Sequence, residues 1–169
     1  MKLTATFLLT AFLLTACSHT YYVVRHAEKA TPSPGATMSS PNNPPLSQAG
    51  EQRAQALKET LKDSKVEYIF STNTIRTMST AEPLRNYLAL TTQTYGPMPD
   101  SAFIQKLKGL KKNVLVVGHS NTVDDVVNGL TGEKTIPGDL QDSEYSNLFV
   151  VTYKGKKFVK FERKTFGAQ

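Results

Sequence analysis

Hydrophobic and polar positions along the chain divide it into a regular series of short elements. "YYVV" at 21–24 is an aromatic and β-branched run that stops at Arg25 and reads as a short buried strand over 21–25. "ATPSPGATMSSPNNPP" follows, rich in Pro, Ser, Asn and Gly, and reads as a loop. Ala54, Leu57 and Leu61 then recur at helical spacing, with Ser47 as a cap and Glu51 in the first turn. "VEYIFS" predicts a second strand. Residues 75–89 predict a helix that Pro83 should bend or interrupt, and 101–110 another helix. "NVLVVG" is a near-continuous apolar run, the pattern of a central strand covered on both faces. Val123, Val126, Val127 and Leu130 lie on one helical face, and Gly132 sits where that helix would end. "NLFVVTYKGKKFVKFE" predicts two strands joined by Lys154-Gly155-Lys156.

Strand–helix alternation followed by a hairpin predicts an α/β fold. The expected architecture is a three-layer α/β/α sandwich with a mostly parallel central sheet and a C-terminal β-hairpin. At 169 residues with ordinary composition, one globular domain accounts for the chain, and no internal repeat is present. The net charge of +6 suits anionic partners. The densest basic group, Lys106, Lys108, Lys111 and Lys112, reads as a solvated helix face. No aromatic–basic recognition motif accompanies it, so nucleic acid is not an expected partner.

The first residues change the picture of location. "MKLTATFLLTAFLLTAC" carries Lys2, a short apolar stretch and small residues before Cys17. The stretch is shorter than the roughly 20 apolar residues that span a bilayer. Leu14-Thr15-Ala16-Cys17 resembles the bacterial lipoprotein signal, which implies cleavage before Cys17 and lipidation of that residue. An ordinary secretory signal with a chance cysteine is the alternative. The division expected is a signal peptide over 1–16, a lipidated tether over 17–20 and one globular domain over 21–169. Ser18 after the cysteine implies the outer membrane, facing the periplasm, so a membrane is an expected partner through Cys17. Cys17 is the only cysteine, so no intrachain disulfide can form. A strand beginning at Tyr21 would place its far end roughly 15–20 Å from the anchor.

Three polar clusters fall at the ends of predicted strands: Arg25-His26, then Ser71-Thr72-Asn73 leading to Arg76, then Gly118-His119-Ser120-Asn121. Strand carboxyl ends form the ligand crevice of open α/β sheets. Arginine offers a planar fork that matches phosphate oxygens, and a neutral imidazole can attack phosphorus. Singly, a histidine after a strand is commonly structural and an arginine before a loop a solvated charge. Together these residues fit phosphoryl transfer without a metal or other cofactor. His19, His26 and His119 show no metal-ligand spacing.

The ensemble resembles the histidine phosphatase superfamily, which includes the phosphoglycerate mutases and the small SixA-like phosphohistidine phosphatases. "VVRHAEK" resembles the signature Arg-His-Gly/Ala. "PLSQAGEQRAQAL" is similar to the Leu-Thr-x-x-Gly helix, "FSTNTIRTMSTAEPL" to the Ser…Arg-x-x-x-Thr-Ala segment, and "VVGHSNT" to the second-histidine motif. The resemblance implies that His26 is the phosphorylated nucleophile, with Arg25, Arg76 and His119 clamping the phosphoryl group. Lys29, Ser120 and Asn121 are candidates for substrate contact. Ala27 stands where glycine is commoner. The family's general acid has no clear counterpart. Asp100 and Glu28 are the candidates, with Asp124 third, but Asp100 and Asp124 could equally cap helices, and Lys29 or the backbone could hold Glu28. The short interval before the second histidine leaves little room for a mutase's insertions. The implied activity is a phosphomonoesterase acting on a phosphorylated small molecule or phosphoprotein. A mutase-type phosphotransferase and a non-catalytic phosphate-binding envelope protein are the alternatives.

Overall fold

The computed structural model describes residues 17–32 and 42–167. The proposed signal peptide, and most of the loop over 30–45, lie outside the described residues. In chain order the elements are β1 (Ser18–Arg25), α1 (Gln48–Leu61), β2 (Tyr68–Thr72), α2 (Ile75–Tyr87), β3 (Thr92–Tyr95), α3 (Ser101–Leu110), β4 (Val114–Gly118), α4 (Val123–Thr131), β5 (Asn147–Lys154) and β6 (Lys157–Thr165). The six strands form one sheet in the order β3-β2-β4-β1-β5-β6. Strands β1 to β4 pair in parallel, whereas β5 and β6 join antiparallel. The sheet is therefore mixed, with its antiparallel part supplied by the C-terminal hairpin.

Side-chain alternation along β1 shows how the layers form. Tyr21 and Val23 point into a core shared with α3 and α4, through Phe103, Leu107, Val126 and Leu130. Val24 points the other way, into a core shared with α1 and α2 through Leu57, Leu61 and Leu84. All five residues of β4 are buried, as its unbroken apolar run requires of a strand covered on both faces.

The helix signals hold in detail. Ser47 caps α1, its hydroxyl accepting from Gly50 N at 3.1 Å. Gly132 ends α4. Pro83 departs from prediction: α2 runs through it without a break to Tyr87.

The first strand begins earlier than expected. Residues 18–20 belong to β1 and pair with β5, Ser18 with Lys154 and His19 with Tyr153. His19 looks polar in sequence but is buried between Tyr21 and Tyr153, at centroid distances of 5.4 and 5.6 Å. Aromatic packing keeps this polar stretch in the sheet. Only Cys17, which is exposed, stands outside the strand.

Candidate active site

The register of β1 against β4 builds the site. Arg25 pairs with Gly118, and the ladder continues with His26 N donating to Gly118 O at 2.8 Å. The residues after each strand, His26 and His119, are thereby set side by side with ring centroids 5.3 Å apart. Strand β2 lies on the other flank of β4, with Ser71 paired to Val117, which brings Thr72 and the start of α2 to the same edge. Arg76, in the first turn of α2, reaches His119, its Nη2 lying 3.4 Å from Nδ1. Thr80 Oγ1 accepts from Ala27 N at 2.9 Å and donates to Arg76 O at 2.7 Å, tying α2 to the His26 loop.

Two glycines permit this closeness. A Cβ at Gly118 would come within 2.8 Å of both Thr122 Oγ1 and Tyr95 Oη. A Cβ at Gly50 would collide with the backbone carbonyl of Glu28, so α1 can approach the His26 loop only with glycine there.

His26 is buried, and its Nδ1 donates to the Ala27 carbonyl at 2.7 Å. That contact leaves the lone pair on Nε2. Burial lowers the His26 pKa to about 3; the Ala27 carbonyl opposes the shift, and the charges of Arg76, His119 and Arg25 add to it. His119 is lowered to about 4, first by burial and then by Arg76 and Arg25. Both imidazoles are neutral near pH 7.

Arg25 is buried and enclosed by a segment that carries no predicted element. Its Nη1 donates to the carbonyls of Gln141 at 2.9 Å and Asp142 at 3.2 Å, and its Nη2 to Tyr145 Oη at 3.4 Å. The Tyr145 ring lies against the guanidinium, 4.2 Å from its centre, and 6.1 Å from the His26 ring. The Asp142 carboxylate, 3.5 Å away, is fully exposed and adds little. Arg25 Nε is buried with no partner among the described residues. Sequence reading passes over Gln141, Asp142 and Tyr145 because 133–146 lacks periodicity. The one aromatic in that loop is the signal available.

The proposed carboxylates are committed to other contacts. Asp100 is the N-cap of α3, its Oδ1 accepting from Phe103 N at 2.7 Å, and it follows the edge strand β3. Arg53 forks onto Glu28 at 2.6–2.9 Å. Burial pushes the Glu28 pKa up, but Arg53 more than offsets it and holds the group below the usual carboxylate range. Glu28 is thus held by an ion pair, and Asp100 serves α3 as its cap. Asp124 is buried in the first turn of α4, and burial followed by Asp125 raises its pKa. The N-cap of α4 is Thr122, and Thr122 Oγ1 accepts from His119 N at 2.9 Å. Ser120 and Asn121 form the turn leading into α4, where Ser120 O accepts from Leu140 N at 2.9 Å. Lys29 is exposed and bridges to Leu46 through its backbone. Among the described residues, no three His, Cys, Asp or Glu side chains gather as a metal-binding group.

Solved structures share this fold at low identity. A phosphohistidine phosphatase SixA from Agrobacterium tumefaciens, described as putative, superposes with a TM-score of 0.60 at 19% identity, over 85% of this chain and 97% of that one. The protein histidine phosphatase SixA complexed with tungstate gives 0.64 at 21%, over 85% and 96%. A mycobacterial glucosyl-3-phosphoglycerate phosphatase gives 0.65 at 12%, over 90% and 100%. Comparison with curated protein sequences gave no match. Residues 21–96, which include Arg25, His26 and Arg76, match the histidine phosphatase superfamily (branch 1). Over that segment the chain is similar to the histidine phosphatase superfamily, and its fold is the one these phosphatases share.

Proposed function

We propose that the protein is a metal-independent phosphomonoesterase that works through a phosphohistidine on His26. The observation that carries this reading is the tautomer of His26. Its Nδ1 proton is spent on the Ala27 carbonyl, so a neutral Nε2 lone pair is available beside two guanidinium groups. In the first step Nε2 bonds to phosphorus, and the ester oxygen leaves with the electron pair of the P–O bond and takes a proton from solvent. In the second, water attacks the phosphoryl group and gives up a proton to solvent, the P–N bond breaks and the lone pair returns to Nε2. Arg25 and Arg76 stabilise charge on the transferring oxygens, the largest contribution expected in such a step. The substrate class is a phosphorylated small molecule or phosphoprotein. Both kinds occur among the similar structures, a protein histidine phosphatase and a glucosyl-3-phosphoglycerate phosphatase, which supports this class.

We place the enzyme in the bacterial envelope, held by lipid on Cys17. Strand β1 begins directly after Cys17, so His26 lies about 25–30 Å along an extended chain from the anchor, at the opposite end of the strand. The site then faces away from the bilayer, toward soluble substrates.

Rapid quench of the full chain with a labelled aryl phosphate tests the chemistry. Acid-labile phosphate should accumulate on wild type and not on His26→Ala. Wild-type turnover by His26→Ala would sink the mechanism. Membrane fractionation of Cys17→Ala tests the anchor: release is expected, with unchanged turnover of small soluble phosphates.

A further inference from the structure

The second histidine is held in one protonation pattern by two independent contacts. Arg76 Nη2 lies 3.4 Å from His119 Nδ1, and a guanidinium can only donate, so Nδ1 carries a lone pair. On the other side of the ring, Nε2 lies 2.8 Å from Thr72 Oγ1. Thr72 Oγ1 donates onward to Thr77 Oγ1 at 3.1 Å, and Thr77 Oγ1 donates to the Thr72 carbonyl at 2.8 Å. The Thr72 proton is thus spent, and its oxygen accepts from Nε2–H. Thr72 and Thr77 are buried, so solvent does not compete with this chain of bonds. Both contacts require the Nε2–H tautomer.

From this geometry we infer that Thr72 is the positioning residue that fixes His119 as Nε2–H, so a phosphate meets a lone pair at Nδ1 and binds with its own proton. The inference rests on the phosphatase reading of the site. A phosphate oxygen carrying hydrogen donates to Nδ1, or hands it the proton, while the other oxygens face the guanidinium groups. A dianion offers no proton to Nδ1, so one must come from solvent on binding. The charged and titratable groups around His119 are Arg76 from α2, and Arg25 and His26 from the end of β1. Tyr145, from 133–146, reaches Arg25 and the His26 ring. Burial first, and the arginines after it, hold the free imidazole neutral, and an anion between the arginines and the ring offsets their part of that restraint.

The same arrangement makes a difference in substrate handling. Monoanionic phosphate esters should be bound in preference to dianions, so affinity should fall as pH rises through the second phosphate pKa of about 6. Thr72 acts through His119 rather than on the substrate. Its hydroxyl is the part that matters, which serine can replace and valine cannot.

Nitrogen-15 correlation spectra of full-length protein at neutral pH test the tautomer directly, with the His119 signals assigned by their loss in His119→Gln. A protonated Nε2 and an unprotonated Nδ1 are expected; the reverse pattern overturns the inference. Calorimetry with inorganic phosphate at about pH 8, where the dianion predominates, in two buffers of different ionisation enthalpy, gives the second readout. Wild type and Thr72→Ser should each take up close to one proton per phosphate bound, and Thr72→Val clearly less. No uptake by wild type, or identical uptake by the Val and Ser variants, overturns it. In turnover, Thr72→Val should lose about 10–100-fold in kcat/KM, as removal of an orienting partner does. Thr72→Ser should stay within about threefold of wild type. The spectra and the calorimetry require no catalysis, so their failure leaves the phosphohistidine test on His26 standing, and the converse also holds.

Discussion

His26 and His119 stand a ring apart at the ends of adjacent strands, yet they are held in opposite ways. His26 donates from Nδ1 to a backbone carbonyl and keeps its lone pair on Nε2. His119 donates from Nε2 to a threonine hydroxyl and keeps its lone pair on Nδ1. On the proposed mechanism, the nucleophile is fixed by main chain that no substitution removes, and the clamp by a side chain that one substitution can change. The invariant part of such a site would be the attacking atom, and the adjustable part the protonation of the phosphate it attacks.

Substitution at the two positions should separate these roles most sharply. His26→Gln should lose about 10³-fold or more in kcat and trap no phosphate, since a covalent step cannot be replaced by the rest of the site. His119→Gln should retain trapping while losing about 10²–10³-fold, the usual cost of one stabilising group. Equal residual activity in the two, with trapping in neither, would erase the distinction.

Next in size is the acid stability of the fold. Both imidazoles have folded pKa values below the usual histidine value, about 3 and about 4. The unfolded chain therefore binds more protons below about pH 6.5, so their stabilisation is full above that pH and is lost as pH falls toward about 4. Each histidine should contribute up to about 1.4 kcal/mol per pH unit to the slope across that window. Urea unfolding at a series of pH values should show a shallower slope in His26→Gln and in His119→Gln. An unchanged slope in both would contradict neutral burial.

Tyr145 tests how far the loop governs Arg25. Tyr145→Ala removes the ring stacked on the guanidinium, an interaction worth about 0.5–2 kcal/mol, and should lower kcat/KM by roughly 3–30-fold. Tyr145→Phe keeps the ring and should lose less. If Phe and Ala are equivalent, the weak hydroxyl contact rather than the stacking holds Arg25.

The smallest effect concerns Asp100. As the cap of α3 it should cost about 1 kcal/mol on change to Ala, read as a lower melting temperature. Alkyl and p-nitrophenyl phosphates should be affected alike. A selective loss on the alkyl ester would instead give Asp100 the role of proton donor, an exchange of partners that the cap geometry argues against.

Much of this was legible before any coordinates. Strand and helix order follows from periodicity. The placement of Arg25, His26 and His119 follows because polar residues after a buried apolar run have only the sheet edge to occupy. What needed coordinates was lateral register. That Thr72 meets His119 depends on β2 and β4 pairing Ser71 with Val117, which no local pattern encodes. Arg53 lies on α1, and only the close approach allowed at Gly50 puts it onto Glu28. The early start of β1 was hidden because His19 is polar by type and apolar by surroundings.

The position of β1 also has a mechanical meaning. Cys17 leads straight into a strand flanked on both sides, by parallel β4 and antiparallel β5. A pull applied at Cys17 along the strand axis would load those two ladders in shear, many hydrogen bonds sharing the force at once. An edge strand such as β6 pulled outward would instead open one rung at a time. Tension at the amino terminus should therefore be borne by the middle of the sheet. Yielding there would carry away Arg25 and His26, so the proposed site would be lost in the same event that breaks the sheet.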